Sequence, residues 1–130
     1  MRTLNDLAFV DYVTNTSSEA TGVVTKTELN AVLGQADQLT WQLVVDDFST
    51  GSITVTARMQ HSADGRNFKA KAGATDATAT VTNPASPWSL VGYDDGTTPN
   101  LAFVRFVIFF GSTSTAGHVK LYVTARDGRV

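Results

Sequence analysis

The sequence predicts an all-β protein, a single antiparallel β-sandwich of roughly eight strands spanning residues 1–130. Three observations carry this. Apolar residues alternate with period 2 in run after run, and clusters of Gly, Pro, Asn and Asp punctuate the chain at a spacing of ~8–12 residues. No apolar i, i+3, i+4, i+7 series is sustained anywhere, so no amphipathic helix is expected. The third is the run 101–110, LAFVRFVIFF, which is apolar on both of its faces and carries Arg105 as its one charge. Too short for a membrane span and dense in aromatic and β-branched residues, it reads as a central strand of a packed sheet.

Taken in order, residues 7–13 form a first candidate strand, with Leu7, Phe9 and Val13 against Ala8, Val10 and Tyr12. Asp11 breaks that pattern, which suits an edge strand or, with the polar loop that follows, an extended N-terminal arm over residues 1–22. Residues 26–33 fit either one helical turn capped near Thr27 or a strand ending at Gly34; the missing helical series favours the strand. Residues 39–48 alternate cleanly, with Leu39, Trp41, Leu43 and Val45 on one face. Residues 53–60 answer them with Ile53, Val55, Ala57 and Met59, and the pair is expected to form a hairpin. Asp64-Gly65 supplies the positive-φ position of a tight turn, after which Phe68 is expected to return to the core. An edge strand is expected near 78–82. Pro84 and Pro87 cannot lie in a central strand, since each lacks the ladder donor, and 88–91 reads as a short strand. Last, Val119, Leu121, Val123 and Ala125 alternate with His118, Lys120, Tyr122 and Thr124, the mark of a strand with one wet face. The Gly/Ser/Thr linker 111–117 is expected to join it to the central run as a hairpin. The expected core is Trp41, Leu43, Val55, Met59, Phe68, Val104, Phe106, Ile108, Leu121 and Val123.

Composition narrows the function classes. The chain has no Cys, a formal net charge of −2 and only 17% charged residues, below the ~25% of an ordinary soluble domain. Disulfides and thiolate metal sites are excluded. The ten Lys and Arg residues are scattered rather than gathered in a basic stripe, so no nucleic-acid partner is expected. No stretch reaches the ~18 apolar residues of a spanning helix, and no membrane partner is expected. Residues 1–6 lack the apolar core of a secretory signal, which points to synthesis in the cytoplasm. A sparsely charged Ser/Thr-rich surface also loses little on desolvation when another subunit covers it.

No catalytic constellation is apparent. His61 and His118 are the only histidines, neither stands in a recognisable metal spacing, and Gly-x-Ser-x-Gly is absent, so the chain is expected to be neither enzyme nor metalloprotein and to hold no cofactor. Asp46-Asp47 and Asp94-Asp95 are acid pairs in turn-rich sequence without the alternating ligand spacing of an EF-hand, and read as solvated turn carboxylates. Trp88 and Tyr93, beside Asp94 and Asp95, are the residues that a sugar-stacking site would use, although Trp88 alternates with Leu90 and also suits the core. Arg105 must be paired or face a partner. The run 101–110 presents Phe103, Arg105, Val107 and Phe109 on one face and Val104, Phe106, Ile108 and Phe110 on the other, whereas a two-layer sandwich needs one apolar face per strand. The surplus face makes Phe9, Tyr12, Phe103, Arg105 and Phe109 the candidate contacts of a homo-oligomer.

The stretch Gln60-His61-Ser62-Ala63-Asp64-Gly65-Arg66-Asn67-Phe68 resembles the Ser-x-Asp-Gly-x-x-(Phe/Trp) hairpin of many small β-sandwich domains. These include galactose-binding-like (discoidin-type) modules and the jelly-roll or galactose-binding-like sandwich proteins of tailed-phage virions. Phe103-Val104-Arg105-Phe106-Val107, ahead of Val119-Lys120-Leu121-Tyr122-Val123, is similar to the strand in such domains where an Arg sits among apolar residues. The resemblance implies the sandwich. For function it implies a virion structural protein, a capsid decoration or cement subunit acting as a trimer on the major capsid protein. The alternative is a non-catalytic carbohydrate-binding module using Trp88, Tyr93, Asp94 and Asp95.

Overall fold

The computed structural model describes residues 2–14, 38–48, 52–82, 87–94, 96–111 and 117–127; residues 2–14, 126 and 127 are described by their backbone. Within them the regular elements are all strands: β1 (Arg2–Thr14), β2 (Gln38–Phe48), β3 (Ile53–Ser62), β4 (Lys69–Ala70), β5 (Ala77–Val81), β6 (Trp88–Asp94), β7 (Phe103–Phe110) and β8 (Gly117–Asp127). They form two antiparallel sheets facing one another. Sheet A has the order β1-β8-β2-β6, and in sheet B β3 is flanked by β7 on one edge and by β5 and β4 on the other. The all-β sandwich expected from the alternation is the fold observed. The ambiguous segment 26–33 and the loop 15–22 lie outside the described residues.

Alternation explains which face of each strand is buried. Leu39, Trp41, Leu43 and Val45 of β2, Val55 and Ala57 of β3, Val104, Phe106 and Ile108 of β7, and Val119, Leu121 and Val123 of β8 are all fully buried between the sheets. Trp41 joins the layers. Its indole N–H donates to the Ala57 carbonyl across the sandwich at 3.1 Å, and its ring packs against Phe106, centroids 5.1 Å apart and tilted by 60°. A buried indole N–H without a partner would cost ~1–3 kcal/mol, so this bond also fixes how the sheets are stacked.

Pairing departs from the expected hairpins. β2 pairs with β6 and β8, and β3 with β4, β5 and β7, so the connection between β2 and β3 crosses from one sheet to the other. β7 and β8 likewise belong to opposite sheets. Two adjacent strands that each carry one full apolar face can bury those faces against each other as easily as side by side, and alternation does not distinguish the two arrangements. The run expected to be a central strand, β7, pairs only with β3 among the described residues.

β3 and β4 do form the tight hairpin expected at Asp64-Gly65. Gly65 has φ +74°. The Asp64 carboxylate accepts the N–H groups of Asn67 and Arg66, each at 2.8 Å, and the Ser62 hydroxyl at 2.7 Å. Those bonds, the Asn67 N–H foremost, hold the carboxyl far below the usual carboxylate range. Phe68, however, is not a core residue. It is half-buried on the outer surface, where the Arg105 guanidinium lies 4.0 Å from its ring centroid, because the turn carries the chain back over the outside of sheet B. Arg105 also donates to Gln60 at 2.7 Å. Beside it Arg58 pairs with Asp76 at 2.9 Å and lies 5.3 Å from the Phe109 ring.

Gly92 is the position where the core leaves no room. A Cβ there would stand 2.4 Å from the Trp41 indole and 2.6 Å from the Ala77 backbone nitrogen, and backbone cannot yield as a flexible side chain can. Gly92→Ala should therefore destabilise the fold by about 1–3 kcal/mol or more, as overpacking does, read as a lower urea midpoint with an unchanged slope. An unchanged midpoint would mean that Trp41 is free to move.

Candidate functional site

The outward parity of sheet A builds the site. Thr40 and Gln42 of β2, Val91 and Tyr93 of β6, and Tyr122 and Thr124 of β8 all point away from the core, because their chain neighbours fill it. Strand register arranges them in two rows, Tyr122–Gln42–Val91 and Thr124–Thr40–Tyr93. Val91, Tyr93 and Tyr122 are 57%, 50% and 37% exposed, three of the four large apolar or aromatic side chains in the described residues that stand in solvent. Thr40, Trp41, Gln42, Val91, Tyr122 and Thr124 line an open depression of about 440 Å³. From ordinary strand spacing and rise, Tyr122 and Tyr93 are separated by about 12 Å on a diagonal across the face.

Among the described side chains this face is neutral at its centre. Gln42 donates its amide N–H to the Ser89 hydroxyl, which orients the side chain on this face. The charges gather toward the other end of the strands, where Asp46 approaches His118 at 3.4 Å and Lys120 at 3.2 Å. What the arrangement can do chemically is stack and hydrogen-bond: two phenol rings, an amide and hydroxyls present apolar faces and polar edges side by side.

The Tyr93 end of the face is anchored from sheet B. Thr75 and Tyr93 exchange backbone hydrogen bonds of 2.8 and 2.9 Å. The next residue, Asp94, is buried and ion-paired with Lys71 at 2.6 Å, both side chains 2% exposed. The Lys71 ammonium also donates to the Asn100 side-chain oxygen at 2.8 Å and to the Thr98 carbonyl. Nearby, His61 Nδ1 accepts the Leu101 N–H at 3.3 Å, which requires that nitrogen to be unprotonated.

The residues expected from sequence fall in separate places. Tyr93 stands on the open face of sheet A, whereas Trp88 has the opposite parity on β6 and packs half-buried against the core. Asp94 is held inside by Lys71, and Asp95 lies outside the described residues. Phe103, Arg105 and Phe109 share the outer face of sheet B, all three half-buried. Phe9 and Tyr12 lie on β1 at the register positions opposite Tyr122 and Val119. Sequence reasoning passed over Thr40, Gln42, Val91, Tyr122 and Thr124 as site residues. Their outward parity was visible, but only the order β8-β2-β6 makes them neighbours. Among the described residues no group of three or more His, Asp or Glu side chains is placed to hold a metal ion.

No protein-family model matches the chain, and no curated protein matches it. Among solved structures, it is similar to the Clostridium thermocellum N-terminal endo-1,4-β-D-xylanase 10B CBM22-1–GH10 modules complexed with xylohexaose, with a TM-score of 0.53 and 13% identity. The match covers 97% of this chain and 27% of that one. At that identity the likeness concerns the fold alone: a β-sandwich of the kind found in a carbohydrate-binding module.

His61 makes this region pH-sensitive. Burial lowers its pKa below the ordinary 6.5, the Lys71 ammonium lowers it further, and Asp94 opposes them. The unfolded chain thus takes up the proton at a higher pH than the folded one. The stability this contributes is complete above the unfolded value and is lost as pH falls through the folded value. Thermal unfolding should show the melting temperature falling as pH drops below about 6.5, and His61→Gln should flatten part of that slope. An identical slope in the variant would remove His61 as its source.

Proposed function

We propose that this chain is a non-catalytic binding module whose outer sheet A face takes a neutral polysaccharide. The observation that carries the reading is that Tyr122 and Tyr93 are both exposed on one sheet face, about 12 Å apart by strand geometry, with an open depression lined by Tyr122, Thr40, Gln42, Val91 and Thr124 on that face. Pyranose rings offer apolar C–H faces to such tyrosines and hydroxyls to the amide and threonines, and the uncharged centre of the face suits a sugar without acid groups. The sandwich shared with a carbohydrate-binding neighbour supports the same reading. Titration calorimetry with xylohexaose and an array of other neutral oligosaccharides should find a saturable ligand. Tyr93→Ala and Tyr122→Ala should each weaken it about tenfold, roughly 1.4 kcal/mol, while Trp88→Phe leaves affinity unchanged. Binding that survives loss of both tyrosines would place the site elsewhere.

A second reading, a capsid decoration subunit of a virion working as a trimer on the major capsid protein, is favoured by the outer face of sheet B. There Phe68 lies half-buried against Arg105, and Phe103 and Phe109 are half-buried on the same face, on a chain of low charge. On that reading light scattering returns a multiple of 13.9 kDa, and Arg105→Glu lowers it to the single-chain mass. A monomer at every micromolar concentration tried would overturn the intrinsic trimer and leave assembly only on a pre-existing shell.

A further inference from the structure

The cluster formed by buried Lys71 and Asp94 with half-buried Asn100 has no part in the sheet A face beyond holding the end of β6. Lysine is almost never fully buried unless paired, and here the ammonium is enclosed by a carboxylate at 2.6 Å, a side-chain amide oxygen at 2.8 Å and the Thr98 carbonyl. We propose that the cluster is a self-processing site, in which Lys71 and Asn100 become joined by an intramolecular amide bond and Asp94 carries the proton.

The geometry brings the three groups into hydrogen-bond contact. The amide carbon of Asn100 is one bond from the oxygen that Lys71 Nζ already touches, and Asp94 Oδ2 is the nearest base to that nitrogen. Proton transfer from Nζ to Asp94 frees the amine lone pair, which adds to the Asn100 Cγ, and the adduct releases its second Nζ proton to solvent. Collapse of the tetrahedral intermediate breaks the Cγ–Nδ2 bond, and the departing nitrogen takes the proton from Asp94. One bond forms, one breaks, ammonia leaves and picks up a proton in solvent, and Asp94 returns to a carboxylate; no oxidant, metal or co-reactant is consumed. Fixed orientation supplies the high effective concentration that such an acyl transfer needs, and burial keeps the Lys71 amine and its Asp94 base out of bulk water. The product ties the residue after β4 to the loop before β7, closing the chain from 71 to 100 in a protein that has no Cys for a disulfide.

Intact mass spectrometry of the denatured full-length chain reads the reaction directly. The mass should fall short of the sequence mass by one ammonia, and a tryptic map should show the Lys71 peptide joined to the Asn100 peptide with no cleavage after Lys71. Lys71→Arg and Asn100→Ala should each restore the sequence mass, and Asp94→Asn should restore it or slow the loss. The wild-type result stands whether or not the variants fold. The full sequence mass after prolonged incubation at neutral pH overturns the proposal. So does an ammonia loss that persists in Lys71→Arg, which would arise at another amide, and so does loss of water, which would put the bond on Asp94.

Discussion

The Trp41 indole is the contact on which the two sheets depend. It leaves β2, donates to a carbonyl of β3, packs against Phe106 of β7 and lies where a Cβ on Gly92 of β6 would stand, so a single side chain engages four strands and both layers. The largest side chain in the core satisfies its one polar group across the sandwich, which makes sliding one sheet over the other costly twice over: the indole would lose its cavity and its acceptor. The glycine at 92 follows from the size of the ring. With β6 drawn in at that point, its opposite parity presents Val91 and Tyr93 to solvent.

The two outer faces of the sandwich are finished differently. On sheet B, threonine pairs bridge β3 and β5, with Thr54 and Thr80 hydroxyls 3.1 Å apart and those of Thr56 and Thr78 2.9 Å apart, while Arg105 lies on Phe68 and Arg58 on Phe109. Even Gln60 and Val107 on this side are buried. On sheet A, by contrast, Val91, Tyr93 and Tyr122 are exposed beside hydroxyls and an amide. An exposed cluster of this composition is the usual mark of a working surface. Its position on a sheet rather than on loops gives it a rigid floor, since each side chain is spaced by the hydrogen-bonded ladder beneath it.

That floor is tied to the other layer at its Tyr93 end. The Thr75–Tyr93 backbone bridge and the Lys71–Asp94 pair act on consecutive residues of β6. A buried ion pair is not by itself strong evidence of stability, because desolvating both charges offsets much of their attraction. Its effect here is positional: with three acceptors around one ammonium, the segment after β4, the end of β6 and the loop before β7 have one mutual arrangement that leaves no buried charge unsatisfied.

Alternation along the chain determined the fold class, the inward face of nearly every strand and the turn at Asp64-Gly65, because side-chain parity and positive-φ turns are local properties of the backbone. Leu39, Trp41, Leu43 and Val45, or Val119, Leu121 and Val123, are buried as their spacing requires, and Tyr122 and Tyr93 are outward for the same reason. Pairing was decided only in three dimensions. Residues 39–48 and 53–60 read equally well as a hairpin or as facing strands of two sheets, and nothing in either segment records that β8 rather than β3 lies beside β2. The site depends on that choice, since Tyr122, Gln42 and Val91 are neighbours only through it. Phe68 was misread for a related reason: an aromatic after a turn is apolar whether it enters the core or covers it from outside, and the guanidinium that makes the outside acceptable comes from Arg105, distant in sequence. The partners of Lys71 were equally hidden, because a lysine beside a turn looks solvated until Asp94, Thr98 and Asn100 are folded around it.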